Sequence, residues 1–260
     1  MPDLSICIPV KDRSRCVVTH GDLGDAEREA GYAVPRTCYW LPNCIRSIAL
    51  AAMPTDDWEI VVVDFASTDW PLKEWASLMA TPVPFVHYWS PQPFSAGLGL
   101  NEAGKHAASD NLLFLGADCL VTRQLILDGL GSLAKGVAYV PQPVLYKDPD
   151  HKWIEQGTAF SGTDFLTREM WERTGPFPEF RSPGLCDVVW FERARVALGD
   201  DHIHIAPHPG LFHQWHPHRK EWTCRHYPDW QKDDAMKREA WKAGRFKTDI
   251  SWPPKEAEHA

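Results

Sequence analysis

Residues 111 to 121 read NLLFLGADCLV, an apolar run typical of a buried strand, with one carboxylate, Asp118, near its end. Open α/β folds hold ligands and metals at the carboxyl ends of their strands, because the strand fixes the position and the following loop leaves room. Asp118 is therefore a candidate metal ligand. The residues alone leave one alternative, in which Asp118 caps a helix predicted over residues 122–133.

Two further apolar runs predict strands of the same sheet. Residues 4–10 (LSICIPV) and 59–65 (EIVVVDF) have the composition of buried strands, and Asp64 lies near the carboxyl end of the second. They alternate with further elements predicted over residues 41–52 (helix), 85–89 (strand) and 98–108 (helix). Since this alternation requires right-handed crossovers, we predict an α/β fold with a mostly parallel central sheet and helices on both faces.

The rest of the chain gives weaker structural signals. Polar, glycine-containing residues 14–39 predict a long loop over the site. A strand over 136–146 contains Pro141 and Pro143, which restrict it to a sheet edge or break it. Other predicted elements cover residues 169–173 (helix), 185–198 (helix), 202–206 (strand) and 233–243 (helix).

Composition excludes several classes of protein. The 260 residues carry a formal net charge of −8, which argues against a surface that binds nucleic acid throughout. The seven cysteines include no Cys-x-x-Cys pair, so neither a disulfide framework nor a zinc ribbon is indicated. No signal-like segment or apolar run of about 18 residues occurs, and we expect a soluble, cytoplasmic protein without a membrane-spanning segment.

Two features carry residues suited to metal or acid–base chemistry. Asp187 lies at the start of the helix predicted over 185–198, where the helix dipole alone often favours an acid. Residues 208–218 contain four histidines, which indicate either a metal site or a solvated surface. Each feature is weak alone, and the joint pattern with Asp64 and Asp118 is what indicates a functional site.

A series of short segments adds to this pattern. They are SICIPVKDR (5–13), LPNCIRSI (41–48), VDFASTD (63–69), NEAGKHA (101–107), FLGAD (114–118), RTGPF (173–177), CD (186–187) and FHQWHP (212–217). The series resembles the GT-A glycosyltransferases, especially family 2 and relatives with a C-terminal galactosyltransferase-like segment. The resemblance covers most of residues 4–215.

The resemblance implies roles for particular residues. Asp118 corresponds to the last acid of the family's Asp-x-Asp motif, which is expected to touch the metal, and His213 to a downstream histidine that completes the metal shell. Asp187 falls where the family's Glu-Asp pair supplies the catalytic base. Whether His216 or His218 also binds metal stays open. The donor-binding residues that the resemblance implies are Pro9, Lys11, Asp12, Arg13, Asp64, Asn101 and Ala117.

The resemblance also implies an activity and a domain organisation. We expect a metal-dependent, inverting glycosyltransferase that uses a nucleotide sugar, with UDP-sugars favoured, and a glycan or glycoconjugate acceptor. Carboxylate and imidazole ligands favour Mn²⁺, with Mg²⁺ as the alternative. Residues 1–215 would form the GT-A domain, with residues 1–120 as the donor-binding half and 121–215 as the acceptor and catalytic half. Residues 216–260 would form a C-terminal extension.

Three alternatives remain beside this hypothesis. Gly116 and Cys186 replace the first acids of the two acidic motifs, which would suit an inactive protein that binds nucleotide sugars. The basic and aromatic stretch over 215–247 fits a solvated helical face, but it also leaves a modified nucleobase of DNA as an alternative acceptor. A histidine-rich metal hydrolase is disfavoured, because no His-Glu-x-x-His spacing occurs.

Overall fold

The computed structural model describes residues 1–79, 81–157, 162–180 and 186–217. The helix predicted over 233–243, most of the predicted extension over 216–260, and His218 lie outside the described residues. Among the described residues, no helix is long and apolar enough to span a membrane.

The described chain contains eleven strands and seven α-helices. The strands are β1 (Leu4–Val10), β2 (Cys16–Val18), β3 (Arg36–Cys38), β4 (Trp58–Asp64), β5 (Phe85–Trp89), β6 (Asn111–Phe114), β7 (Cys119–Val121), β8 (Ala138–Tyr146), β9 (Ile154–Gln156), β10 (Asp164–Thr167) and β11 (Ile203–His213). The helices are α1 (Asp25–Glu29), α2 (Trp40–Ala51), α3 (Leu72–Trp75), α4 (Ala96–His106), α5 (Arg123–Leu133), α6 (Arg168–Thr174) and α7 (Cys186–Leu198). Short 3₁₀ turns cover His20–Asp22, Ala76–Leu78 and Asp200–His202.

A nine-stranded sheet forms the centre of the fold, in the order β5-β4-β1-β6-β10-β8-β11-β7, with β9 paired to β8. Strands β5, β4, β1 and β6 are parallel to one another, and β8 is parallel to β11. Strands β10, β7 and β9 run antiparallel to their neighbours. Six of the nine strands thus point in one direction, and helices pack around the sheet, which confirms the predicted α/β fold.

The core is centred on β1, all seven residues of which are buried between β4 and β6. An apolar run without alternation is what a strand covered on both faces requires. Pro9 is tolerated here because pairing with β6 ends at Cys7, whereas pairing with β4 continues to Val10. The Cys7 carbonyl accepts from Leu115 on the β6 side, and the nitrogen of Pro9, two residues further, faces that same unpaired side.

The strand predicted through Asp118 is wrong in its extent. β6 ends at Phe114, and Cys119 N–H donates to the Gly116 carbonyl at 3.0 Å in a turn before β7 begins. Asp118 therefore lies in the turn between two strands. It does not cap α5, because the hydroxyl of Thr122 accepts the N–H of Leu125 at that helix's start.

Two other predictions on strands need correction. β8 lies inside the sheet, although Pro141 and Pro143 predict an edge or a break. On the side of β8 away from β11, pairing with β10 involves Tyr139 and pairing with β9 begins at Val144. Both prolines lie between these two residues, where β8 has no partner strand on that side and needs no N–H donor. β11 extends well beyond residues 202–206 to His213, through a register shift after Pro207.

The segment over 14–39 is not an unstructured loop. β2 and β3 form a separate antiparallel pair, with helix α1 between them, and we call residues 16–38 the hairpin insertion. Its inner side packs in a small apolar cluster built on Val18, Leu23 and Trp215. The insertion therefore rests on the segment that follows β11.

Candidate active site

The carboxyl ends of β1 and β4 lead into two loops that are hydrogen-bonded to each other. Asp12 N–H donates to Ser67 Oγ at 2.9 Å, and Thr68 N–H donates to Asp12 Oδ1 at 2.6 Å. Lys11 Nζ donates to the Ala66 carbonyl at 2.6 Å. Asp12 and Ala66 both have positive φ, at 50° and 52°, which is unfavourable for residues other than glycine. These bonds hold the predicted donor-binding residues Lys11 and Asp12 at one edge of the sheet.

Asp64 ends β4 and is buried. Its Oδ1 accepts from Ser67 N–H at 2.8 Å, and its Oδ2 accepts from Leu72 N–H at 3.2 Å. The carboxylate therefore orders the loop that follows it. Because each carboxylate oxygen can accept more than one bond, these contacts leave capacity for the predicted contact with a nucleotide base.

A cavity of about 310 Å³ opens beside Asp64. The loop after β4 forms one wall, and His87, Tyr88 and Trp89 at the end of β5 form another, with Lys73 also lining it. Flat rings and polar groups facing a cavity of this kind suit a planar, polar ligand.

Asp118 meets two histidines from the end of the sheet. His213 is the last residue of β11 and pairs with Cys119, so the register brings it next to the turn that carries Asp118. His213 Nε2 lies 3.7 Å from Asp118 Oδ1, and His216 Nε2 lies 3.6 Å from Asp118 Oδ2. One atom from each of the three side chains can be chosen so that all lie within 4.8 Å of one another. We call Asp118, His213 and His216 the triad.

The triad has the composition and spacing of a site for one divalent cation. Ligand bonds of about 2.0–2.2 Å place neighbouring ligand atoms about 3 to 3.6 Å apart in octahedral or tetrahedral geometry. The two carboxylate–imidazole separations in the triad, 3.6 and 3.7 Å, are close to that range. One oxygen and two nitrogen ligands also leave coordination positions open. The residues therefore fit a cation.

Arg13 adds positive charge to the triad. Its Nε lies 3.9 Å from Asp118 Oδ2, and its guanidinium stands over the Trp40 ring with 5.4 Å between Cζ and the ring centroid. Burial alone would raise the pKa of Asp118, but the positive charges of His213, His216 and Arg13 outweigh it and lower that pKa to about 2. Asp118 is thus an anion at every physiological pH.

A buried network holds the triad's histidine segment in place. Gln214 N–H donates to the Asp118 carbonyl at 2.8 Å. The side chain of Gln214, only 2% exposed, donates to the Trp40 carbonyl and accepts from Asn43 Nδ2, each at 3.1 Å. Trp40 Nε1 donates to the Trp215 carbonyl at 2.9 Å. Helix α2, on which Trp40 and Asn43 lie, thereby positions the residues between His213 and His216.

The hairpin insertion supports the same segment from the other side. Trp215 packs in the apolar cluster of the insertion, and its Nε1 donates to Glu27 Oε1 at 2.7 Å. Arg36 on β3 pairs with Asp150 in the loop between β8 and β9. The insertion is therefore attached both to the histidine segment and to the β8–β9 loop.

Asp187 is the second residue of α7 and is half-buried, with its Oδ1 accepting from Val188 N–H at 2.8 Å. It lies close enough to Asp164 to act on it electrostatically: burial first, and then the charge of Asp187, raise the pKa of Asp164 well above its usual value. Asp164 pairs with Phe114 at the end of β6. Asp187 therefore lies near the Asp164 end of β10, and its predicted role as catalytic base stays a prediction.

The other predicted donor-binding residues are buried. Pro9 packs against α4, where a Cβ added to Gly99 would lie 2.4 Å from the Pro9 Cβ. Ala117 lies buried in the turn beside Asp118. Asn101 on α4 donates to the Phe177 carbonyl at 2.9 Å and accepts the N–H of the same residue at 2.8 Å. Its amide fastens the segment before α7, and no described contact joins Asn101 to the triad.

Comparison with known proteins gives the family. The family model "Glycosyl transferase family 2" matches residues 39–191, more than half of the chain. The chain belongs to glycosyl transferase family 2. The family match begins within the hairpin-to-α2 junction and includes Asp64, Asp118 and Asp187, whereas His213 and His216 lie beyond it. No curated protein matches the sequence.

Solved structures show the same GT-A fold as this family 2 chain. A Staphylococcus aureus TarS fragment (residues 1–349) in complex with UDP-GlcNAc has a TM-score of 0.59 at 14% identity, over 83% of this chain and 59% of that one. The mannosyltransferase PcManGT from Pyrobaculum calidifontis, in complex with GDP-Man and Mn²⁺, has a TM-score of 0.58 at 19% identity, over 97% of this chain and 66% of that one. The chain thus spans about three-fifths of the TarS fragment.

Several site residues of this family 2 member were not predicted from sequence. Gln214 lies inside one quoted segment and Trp40 directly before another, but neither segment reveals that the Gln214 side chain bonds to the Trp40 carbonyl. Asp164 lies in β10, a segment for which the sequence predicts no element and no functional acid. The pairing of Glu27 with Trp215 joins residues 188 positions apart, which no local signal contains.

Proposed function

We propose that the chain transfers a sugar from a nucleotide-sugar donor to an acceptor hydroxyl, with a divalent cation held by Asp118, His213 and His216. The observation that carries this proposal is the triad itself, beside the loops that follow β1 and β4. Cleavage of a nucleotide sugar leaves negative charge on a diphosphate, which a cation at this position would neutralise. The membership of glycosyl transferase family 2 supports the reaction class.

Mn²⁺ is the cation that we propose for this site. A carboxylate with two imidazoles is softer than the all-oxygen shell preferred by Mg²⁺, which remains the alternative. PcManGT, of the same fold, was solved with Mn²⁺. The ligand set thus argues for a transition-metal ion over Mg²⁺, and the choice of Mn²⁺ among such ions is supported by that neighbour.

The donor's diphosphate and base would occupy adjacent parts of the sheet edge. Arg13, with its Nε 3.9 Å from Asp118 Oδ2, would donate to phosphate oxygens, and Lys11 lies in the neighbouring loop. Asp64 and the cavity beside it offer an acceptor and aromatic rings for a nucleotide base. TarS was solved with UDP-GlcNAc and PcManGT with GDP-Man, so these neighbours do not decide between the two nucleotides. We favour UDP-sugars because of the sequence resemblance, and we include GDP-sugars in the test.

Asp187 is the proposed general base. The acceptor hydroxyl becomes a good nucleophile only as its proton leaves, and a half-buried carboxylate can accept that proton at neutral pH. Attack from the face opposite the leaving diphosphate would invert the anomeric centre. The neighbouring Asp164 is buried, and its Oδ2 has no hydrogen-bond partner among the described residues. A protonated Asp164 would leave the negative charge on Asp187.

A donor screen by nucleotide release tests the reaction. The purified chain is incubated with UDP-sugars and GDP-sugars, with and without Mn²⁺, and released nucleotide is measured. Asp187→Asn should lower turnover by about 10²–10⁴-fold while donor binding persists, because only the proton acceptor is lost. Asp201→Asn, an exposed acid before β11, is the matched control and should leave turnover unchanged. A wild-type protein that binds donors but never releases nucleotide would instead support the inactive binding protein.

The acceptor is proposed to be a glycan or glycoconjugate. The alternative, a modified nucleobase in DNA, rests on the basic and aromatic stretch over 215–247, nearly all of which lies outside the described residues. Contacts to DNA phosphates would release counterions, so binding should weaken steeply as salt increases. DNA binding without that salt dependence, or no DNA binding, removes this alternative.

A further inference from the structure

Two cysteines of the hairpin insertion stand opposite each other. The β2–β3 register pairs Cys16 with Cys38 directly across the antiparallel pair. Residues in this relation have Cα atoms about 4.5–5.5 Å apart and side chains on the same face of the pair. Disulfides in proteins join Cα atoms about 4.4–6.8 Å apart, so this pair has the backbone geometry that a disulfide needs.

Packing confirms that the two side chains share a face. The side chains of Cys16 and Cys38 both pack against the apolar cluster that contains Trp215. Contact of both side chains with one cluster agrees with their position on the same face of the hairpin. The strand register therefore brings the two thiols side by side.

These two thiols are also the accessible ones among the described cysteines. Cys16 and Cys38 are half-buried, whereas the other four described cysteines, Cys7, Cys44, Cys119 and Cys186, are buried. Burial raises the pKa of the Cys38 thiol, and the nearby Arg36 opposes this shift. The pair should therefore react slowly with an oxidant, but faster than the buried thiols do. Burial raises the pKa of the Cys7 and Cys119 thiols further than that of Cys38.

We propose that Cys16 and Cys38 are a reversible disulfide site. One thiolate attacks a sulfur of a small-molecule disulfide, such as oxidised glutathione, forming a mixed disulfide and releasing one thiol. The second cysteine then attacks the mixed disulfide, which forms the Cys16–Cys38 bond and releases the second thiol. The protein's two thiols are oxidised, and the small disulfide is reduced to two thiols that carry the protons.

The bond would close the segment that supports the histidines. Glu27, which accepts from Trp215 Nε1, lies between the two cysteines in the chain. A cross-link at the base of the insertion reduces the conformations open to this segment when the protein unfolds. We therefore expect the oxidised protein to melt several degrees higher than the reduced protein.

The test follows the thiols of the folded full-length chain in a Cys224→Ser background, because Cys224 lies outside the described residues. After incubation with oxidised glutathione, intact mass should fall by about 2 Da, and two alkylatable thiols should disappear. Peptide mapping should recover a cross-link between residues 16 and 38, and dithiothreitol should reverse it. This measurement needs no donor, metal or turnover, so its outcome is independent of the proposed transferase activity.

Cys16→Ser and Cys38→Ser are the matched variants. Each leaves one cysteine without its partner, so each should acquire a stable glutathione adduct of about 305 Da where the parent forms the internal bond. The proposal is overturned if the parent protein collects only such adducts, stays fully reduced, or forms a cross-link that involves a different cysteine.

Discussion

Replacing Gln214 by alanine should weaken metal binding although Gln214 is not a metal ligand. Its side chain is 2% exposed and donates to the carbonyl of Trp40, which is also buried. Losing this buried hydrogen bond and the buried volume of the side chain costs about 1–3 kcal/mol, whereas the exposed Asn43 amide can turn to water. We therefore expect the unfolding free energy to fall by about 2 kcal/mol.

The effect on metal affinity follows from where the bond acts. Gln214 lies between His213 and His216, so loosening it lets the two imidazoles depart from Asp118. If all of the roughly 2 kcal/mol is expressed in the triad, the Kd for Mn²⁺ rises about 30-fold. Losses of about 10–100-fold are typical when residues that orient metal ligands are changed.

Isothermal titration with Mn²⁺ and urea unfolding measure the two effects. Gln124→Ala is the matched control, because Gln124 is exposed on α5 and bonds only to Asp128 among the contacts described. It should change the unfolding free energy by less than about 0.5 kcal/mol and leave the Mn²⁺ affinity unchanged. If Gln214→Ala lowers stability but binds Mn²⁺ as the wild type does, the buried network does not position the triad.

Three further predictions concern stability. A Cβ at Gly129 would lie 2.4 Å from the Phe165 ring, so Gly129→Ala should lower the unfolding free energy by about 1–3 kcal/mol. A Cβ at Gly131 on the same helix meets no atom within 4 Å, so Gly131→Ala should raise the unfolding free energy by about 0.5–1 kcal/mol. Urea unfolding of the two variants checks both signs. Asn101→Ala leaves two buried backbone groups unpaired and should cost about 2–4 kcal/mol by the same measurement, and a loss below about 0.5 kcal/mol would contradict the described bonds. In the metal-free protein the pKa of Asp118 is lowered to about 2, so its stabilising effect is complete above its unfolded value of 3.8 and is lost as the pH falls towards 2. The difference in unfolding free energy between wild type and Asp118→Asn should shrink over that interval, and a constant difference would refute this reasoning.

The sequence predicts the parallel half of the sheet well, for a physical reason. Strands covered on both faces must be apolar throughout, and residues 4–10 and 59–65 carry that signal without ambiguity. The second half of the sheet is less legible, because β8 and β11 contain prolines that usually end strands. These prolines lie where one side of β8 has no partner strand or where the register of β11 shifts. Both conditions depend on neighbouring strands, which the local sequence does not describe.

The candidate site was predictable where residues act through motifs and not where they act through packing. The expected meeting of Asp118 with His213 is present, at 3.7 Å between Oδ1 and Nε2, and His216 joins them. The hairpin insertion was predicted as a loop because its two strands have only three residues each. Its support of Trp215 depends on contacts between distant parts of the chain.

Titration calorimetry of Mn²⁺ binding, with and without UDP, tests the central claim most directly. The account predicts one Mn²⁺ per chain, bound more tightly when the nucleoside diphosphate is present, because the phosphates supply ligands that the triad lacks. Asp118→Asn should abolish this binding, and the exposed-site control Asp201→Asn should retain it. Unchanged Mn²⁺ binding in Asp118→Asn would contradict the account.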